Sequence, residues 1–318
     1  MSRILWGIGL VLLLIAGGCH RQEQPAPGGK LLIVTTLFPL YDFAKQLGKD
    51  KVDVTLLLPP GVEPHNFEPK PADIVRIHQA GLFVYTDQYM EPWAAKIIGG
   101  LDSKKTSIVD SSKGITLLNA GGLAGANHTD EHQRHEGGID PHIWLDLGNA
   151  GQMVDNLLAA LVAKDPANKL FYEDNAVTYK KKLQALDERF KSGLADCRQR
   201  VFLHGGHYAF GYLARRYGLE YRAAYGVNAD AEPTPADLAG LIKQVRSLGL
   251  KYVYTEELLN PRVAETIARE TGVKLLPLNG AHTIGKEEFN RGTTFVAIME
   301  KNLLYLRMGL QCRNTCCQ

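Results

Sequence analysis

Short apolar runs alternate with amphipathic stretches along most of the chain. KLLIVTT, KVDVTLLL, GLFVYTD and KTSIVDSS, all between Lys30 and Ser112, are β-branched or aromatic runs of the kind a buried parallel strand presents. The segments between them, around YDFAKQLG, PADIVRIHQA and EPWAAKIIGG, carry a helical pattern instead. A second series repeats the arrangement: RVFLHG, LEYRAAY, LKYVYTEE and GVKLLPLNG alternate with helical patterns in YAFGYLARRYG, TPADLAGLIKQVRSLG and NPRVAETIARETG, each closed by a glycine suited to a helix C-cap. From Leu147 to about Cys197 the periodicity is helical throughout and is broken once, at Asp165-Pro166. This alternation predicts an α/β protein: two similar lobes with parallel sheets, joined by a long rigid helix.

The N-terminus is hydrophobic in a different way. Arg3 precedes an almost wholly apolar run from Ile4 to Ile15, and small residues Ala16, Gly17 and Gly18 stand before Cys19. The run is too short for a membrane helix and reads as an export signal. Small residues next to a cysteine resemble a bacterial lipoprotein signal, which implies that Cys19 is lipidated and becomes the mature N-terminus; the alternative is an ordinary secretory signal with an incidental cysteine. The following HRQEQPAPGG is polar and rich in proline and glycine, as a flexible tether would be. The expected organisation is a signal peptide over 1–18, a lipid-anchored tether over 19–29, an N-terminal α/β lobe over 30–146, a linking helical segment over 147–197, a C-terminal α/β lobe over 198–311 and a cysteine-containing tail over 312–318.

Composition narrows the partners. A chain of 318 residues with 45% hydrophobic content has enough apolar material for two packed cores. Its 36 basic and 34 acidic residues nearly cancel, and no basic block is long enough to follow a phosphate backbone, so nucleic acid is not an expected partner. Besides Cys19, the cysteines are Cys197, Cys312, Cys316 and Cys317; an exported location permits up to two disulfides among them, with connectivity left open.

In parallel sheets ligands bind beyond the carboxyl ends of the strands. Four histidines fall there: His65 after the second strand, His142 beyond the fourth, His207 after the first strand of the second lobe and His282 after its last. Four neutral imidazoles can close a tetrahedral shell around one zinc ion, and the prolines of LLPPGVEPHNFEPKPAD stiffen the loop around His65 and lower the cost of ordering it. Asn279, Glu256 or a water stay open as alternatives to His282. His204 is expected to end a strand and stand behind the ion, His78 to lie on a helix surface and His20 in the tether. Glu63 could be imagined as a base, but the chain has no HExxH and is expected to be no enzyme; a zinc-dependent hydrolase is the weaker alternative.

GVEPHNFEPKPAD, DPHIWLD, HYAFGYLARRYG and EPTPADLAGLIKQ, in that order, resemble the motifs of the solute-binding proteins of zinc- and manganese-type ABC transporters, and the resemblance runs from about Lys30 to Leu310. It implies an extracytoplasmic, lipid-anchored, monomeric receptor, periplasmic in a Gram-negative cell, that captures Zn²⁺ as transported ligand and delivers it to an ABC permease. It also implies that His65, His142 and His207 are ligands. The family commonly places an aspartate after the last strand where this chain has LNGAHT, and His282 fits that place better than Asn279. GLAGANHTDEHQRHEGGID, with His128, His132 and His135, resembles in short form the histidine-rich loop of zinc-handling members and implies an auxiliary metal trap; a solvated polar loop is the alternative. An all-nitrogen shell favours zinc over manganese, although a receptor for manganese or another divalent metal, or an adhesin, remains the alternative. Imidazole must be neutral to bind, so affinity should fall as pH drops through about 6.5.

Overall fold

The computed structural model describes residues 29–120, 138–227, 233–256 and 261–313. The first lobe runs through β1 (Leu31–Thr35), α1 (Phe38–Gly48), β2 (Val52–Leu56), α2 (Pro71–Gln79), β3 (Leu82–Tyr85), α3 (Ala94–Ile98) and β4 (Ser107–Asp110). Its four strands are parallel in the order β2-β1-β3-β4. A short antiparallel pair, β5 (Leu118–Asn119) with β6 (Ile139–Asp140), closes this half. Two helices follow, α4 (Leu147–Lys164) and α5 (Lys169–Ala195), with a 3₁₀ turn at Pro166–Asn168 between them. At 27 residues α5 is about 40 Å long.

The second lobe runs through β7 (Val201–His204), α6 (Gly211–Arg216), β8 (Glu220–Ala223), α7 (Pro235–Ser247), β9 (Tyr252–Thr255), α8 (Arg262–Thr271), β10 (Lys274–Pro277), α9 (Lys286–Asn290) and α10 (Phe295–Gly309). Its sheet is again parallel, in the order β10-β9-β7-β8. Read from the other edge, this is the second-first-third-fourth order of the first sheet, so the lobes repeat one topology. In each, the strand order reverses between the first and third strands, which opens a crevice at their carboxyl ends.

Local chemistry places the boundaries. Asp146 caps α4 by accepting from the backbone N–H groups of Gly148 and Asn149, and Thr234 and Asp237 form a reciprocal capping box at the start of α7. At the end of α8, Gly272 takes the left-handed conformation at φ 75°, where a side chain would clash with its own backbone.

Burial corrects the expectation of two separate cores. One continuous apolar cluster includes Ile33, Phe43 and Leu82 of the first lobe, Leu157, Leu183 and Phe190 of α4 and α5, and Phe202, Tyr254 and Phe295 of the second lobe. Only the remaining faces of the sheets carry smaller clusters of their own, around Phe83 and Ile77 in one lobe and Leu203 and Val253 in the other. The linking helices therefore join the lobes while sharing a core with both. A disulfide joins Cys197, just beyond α5, to Cys312, just beyond α10. Among the described residues no helix is long and apolar enough to cross a membrane. Cys19 with its signal, His128, His132, His135, Cys316 and Cys317 all lie outside the described residues.

Candidate metal centre

Where the two crevices face each other, His65, His142, His207 and His282 meet. Ring centroids of His142 and His207 lie 5.1 Å apart, His65 is 5.3 and 5.2 Å from them, and His282 is 5.5 Å from His207, 6.0 Å from His142 and 6.5 Å from His65. His142, His207 and His282 are buried, and His65 sits half-buried on the proline-rich loop between β2 and α2. Its own backbone N–H donates to Glu63 Oε1 at 3.3 Å, so that carboxylate helps shape the loop.

Each imidazole is aimed by a partner behind it. His142 Nδ1 lies 2.8 Å from Asp140 Oδ1, which also accepts from the His142 backbone N–H at 3.0 Å. This leaves His142 Nε2 facing His207 Nε2 at 3.2 Å, close to the separation of about 3.3 Å between two nitrogens bound tetrahedrally at about 2.0–2.1 Å from zinc. His207 Nδ1 in turn lies 2.7 Å from Glu256 Oε2, at the end of β9. The other oxygen of Glu256 is 3.6 Å from His282 Nε2. His65 Nε2 and His282 Nδ1 are buried without a hydrogen-bond partner, a state that costs roughly 1–3 kcal/mol per group unless a ligand fills it.

Electrostatics keep most of these rings available as donors. Burial lowers His65 to about 3 and His282 to about 4, and pushes His142 well below its ordinary value; the charge on His207 adds to the effect in all three. Burial would lower His207 too, but the charge and hydrogen bond of Glu256 outweigh it and raise this histidine. Burial would raise Glu256, yet His207 outweighs it and holds the carboxyl at about 2. Asp140, by contrast, is raised by burial to about 8.

The loop after β10 needs unusual backbone to bring His282 inward. Ala281 adopts φ 57°, rare for a residue with a side chain, and its N–H donates to Asn279 Oδ1 at 2.7 Å. The Asn279 backbone is gripped on both sides by Asn302 of α10, at 2.9 and 2.7 Å. Asn279 thus builds the turn and His282 points into the centre. A Cβ at Gly280 would lie 2.6 Å from His282 Nδ1, and one at Gly206 would lie 2.7 Å from Glu256 Oε2. Both positions require glycine because ring and carboxylate pass directly over the backbone. His204 ends β7, is buried, and places Nδ1 3.2 Å from the carbonyl oxygen of His207, behind the cluster; His78 is exposed on α2.

Sequence reasoning left three supports unnamed. Asp140 stands two residues before His142 in IDPHIW, where a carboxylate beside a ligand-like histidine was itself a signal. Trp144 Nε1 donates to the Gly280 carbonyl at 2.8 Å, fastening the His282 turn to the segment that carries His142. The Tyr212 hydroxyl accepts from Leu118 N–H at 2.8 Å and donates to the Asp140 carbonyl at 3.0 Å, pinning both strands of the β5–β6 pair to α6.

Comparison with known proteins identifies the family. The family model described as zinc-uptake complex component A, periplasmic (ZnuA), matches residues 33–309. The chain is 39% identical over 309 residues to the high-affinity zinc uptake system protein ZnuA of Bacillus subtilis, covering 96% of this chain and 97% of that one. It is 38% identical over 296 residues to the zinc-binding lipoprotein AdcA of Streptococcus pneumoniae, covering 93% of this chain but only 58% of that longer relative. The crystal structure of the Zn(II)-bound ZnuA-like domain of S. pneumoniae AdcA superposes with a TM-score of 0.76 at 36% identity, covering 89% of this chain and 99% of the domain. With the repeated lobes, the shared core and the histidine cluster between them, these matches show that the chain belongs to the ZnuA family of periplasmic zinc-uptake components.

Proposed function

We propose that this protein captures Zn²⁺ outside the cytoplasmic membrane and delivers it to an ABC-type importer. The observation that carries the proposal is the convergence of four histidines from two lobes, with the buried Nε2 of His65 lacking any hydrogen-bond partner. His65, His142 and His207 offer donor atoms within 4.8 Å of one another, and His282 closes the shell from the side of Glu256. Nitrogen donors suit zinc better than manganese, which favours oxygen. The relatives' names support the same cargo.

The rest of the reading follows from that cargo. Cys19 carries the lipid that retains the receptor at the membrane, residues 19–29 tether it, and His128, His132 and His135 form an accessory zinc trap. The lobes span 30–146 and 198–311 about the linking segment 147–197, and the receptor works as a monomer with a membrane permease as its partner. Calorimetry on metal-stripped protein tests the core of this reading: one Zn²⁺ should bind per chain, and His65→Ala and His142→Ala should each weaken it. Parent-like zinc affinity in both variants would overturn the site, and a parent already soluble and unlipidated would overturn the anchor.

A further inference from the structure

His207 presents its two ring nitrogens to two different donor sets. On one side Nε2 faces His142 Nε2 at 3.2 Å, with His65 completing a group of three. On the other side Nδ1 faces Glu256 Oε2 at 2.7 Å, and the second oxygen of that carboxylate lies 3.6 Å from His282 Nε2. His207, Glu256 and His282 form a second group whose donor atoms also lie within 4.8 Å of one another. The two groups differ in depth: the first includes the half-buried His65, whereas every member of the second is buried.

We infer that the cleft holds two coordination positions for the ion that pivot about His207: an outer one made by His65, His142 and His207 Nε2, and an inner one made by His207 Nδ1, Glu256 and His282 Nε2. This rests on the zinc reading above and deepens it. The proton balances in either state. With the ion outside, the His207 proton sits on Nδ1 and donates to Glu256. With the ion inside, Nδ1 binds metal, the proton sits on Nε2, and His142 Nε2 accepts it across the same 3.2 Å. Neither arrangement leaves a ring nitrogen of His207 without a partner. The 2.7 Å contact between Nδ1 and Glu256 is a hydrogen-bond distance and must open by several tenths of an ångström to admit the ion, whereas 3.6 Å already suits two ligands of one metal at about 2.0–2.2 Å. The two positions share the ring but no donor atom, so passing the ion between them breaks the Nε2–metal bond before the Nδ1–metal bond forms, and the ring loses its Nδ1 proton and gains one at Nε2 with no net proton taken up.

The test is a double-mutant cycle on the full chain with Zn²⁺ alone as probe. In the parent, Glu256→Gln exchanges the anionic hydrogen-bond partner of His207 for a neutral amide and should weaken zinc binding by roughly 10–100-fold. In His65→Ala the outer position is crippled and the ion depends on the inner one, so Glu256→Gln should there cost at least tenfold more than in the parent. Zinc-edge X-ray absorption of His65→Ala should show two imidazoles and a carboxylate oxygen. His282→Gln repeats the cycle should Glu256→Gln fail to fold, with the same expected coupling. Equal costs in both backgrounds, or an all-imidazole shell in His65→Ala, would overturn the inner position alone. A parent that binds no zinc would overturn the zinc reading and the inner position with it.

Discussion

In the first lobe, His65 and His142 reach the cleft as neutral imidazoles, and the carboxyl behind His142 is itself pushed up by burial to about 8. The second lobe sets an anionic carboxyl, held at about 2, between His207 and His282. Two lobes with the same strand order thus bring different electrostatics to one ion. The first supplies lone pairs without charge, and the second supplies the charge that a dication needs when it leaves water. Topology repeats because it makes a crevice; the chemistry differs because the residues that end the strands differ. Only the second set keeps a complete donor group when the partner lobe is removed from the account.

The largest expected effect follows from this asymmetry. His207 belongs to both donor groups, so His207→Ala should weaken zinc binding by about two to three orders of magnitude, given roughly 10–16 kcal/mol for a full zinc shell shared among about four donors. His65→Ala leaves the second group intact and should cost clearly less. Competition titration against a chelator of known affinity measures both. Equal losses from the two variants would mean that the lobes contribute alike.

Next in size is Asp140→Asn. The amide keeps the shape but can turn an N–H donor toward His142 Nδ1 in place of the accepting oxygen, and partners of this kind typically contribute 10–100-fold to metal affinity. The same titration, with circular dichroism as a control for folding, tests it. An unchanged affinity would show that the neighbouring backbone, fastened through Tyr212 to the Asp140 carbonyl, positions His142 without the side chain.

Much of this arrangement was legible before any coordinates. The eight main strands fall within the short apolar runs read from the sequence, and the break at Asp165-Pro166 became the 3₁₀ turn between α4 and α5. The four cleft histidines were legible because parallel sheets gather chemistry at one edge and these histidines follow strand ends. Pairing was harder to see. Glu256 follows a strand as His207 does, but only strand order places β9 beside β7 and so brings the two side chains to 2.7 Å. Asn279 and His282 were separable only through the left-handed Ala281, a backbone state that no periodicity encodes. The pair β5–β6 is two residues per strand, too short for alternation to register, and the shared core depends on how α4 and α5 fold back on the sheets.

The smallest effect lies behind the cleft, where the lobes are tied to the linking helices. Arg216, at the end of α6, donates from Nε and one terminal nitrogen to both oxygens of Asp187 on α5, at 2.6 and 2.7 Å, and from the other to Asp146, the cap of α4, at 2.7 Å. Tyr217 adds a bond to Asp187 at 2.8 Å. The tie joins the segment after His207 to the segment after His142, and so fixes one lobe's donors against the other's. Burial alone would raise Asp187, but the hydrogen bonds from Arg216, Lys191 and Tyr217 outweigh it and hold the carboxyl at about 2. A folded-state value depressed below the ordinary 3.8 stabilises the fold above that value and loses its contribution as pH falls from about 4 towards 2. The node is partly open to solvent, so screening reduces its worth to about 1 kcal/mol. Asp187→Asn should accordingly lower stability by about 1 kcal/mol at pH 7 in urea unfolding, by about half as much near pH 3, and should shift zinc affinity less than Asp140→Asn does. A deficit of the same size at both pH values would show that Asp187 acts through shape and not charge. A zinc loss larger than that of Asp140→Asn would show that the balance between the lobes is set from behind the cleft and not within it.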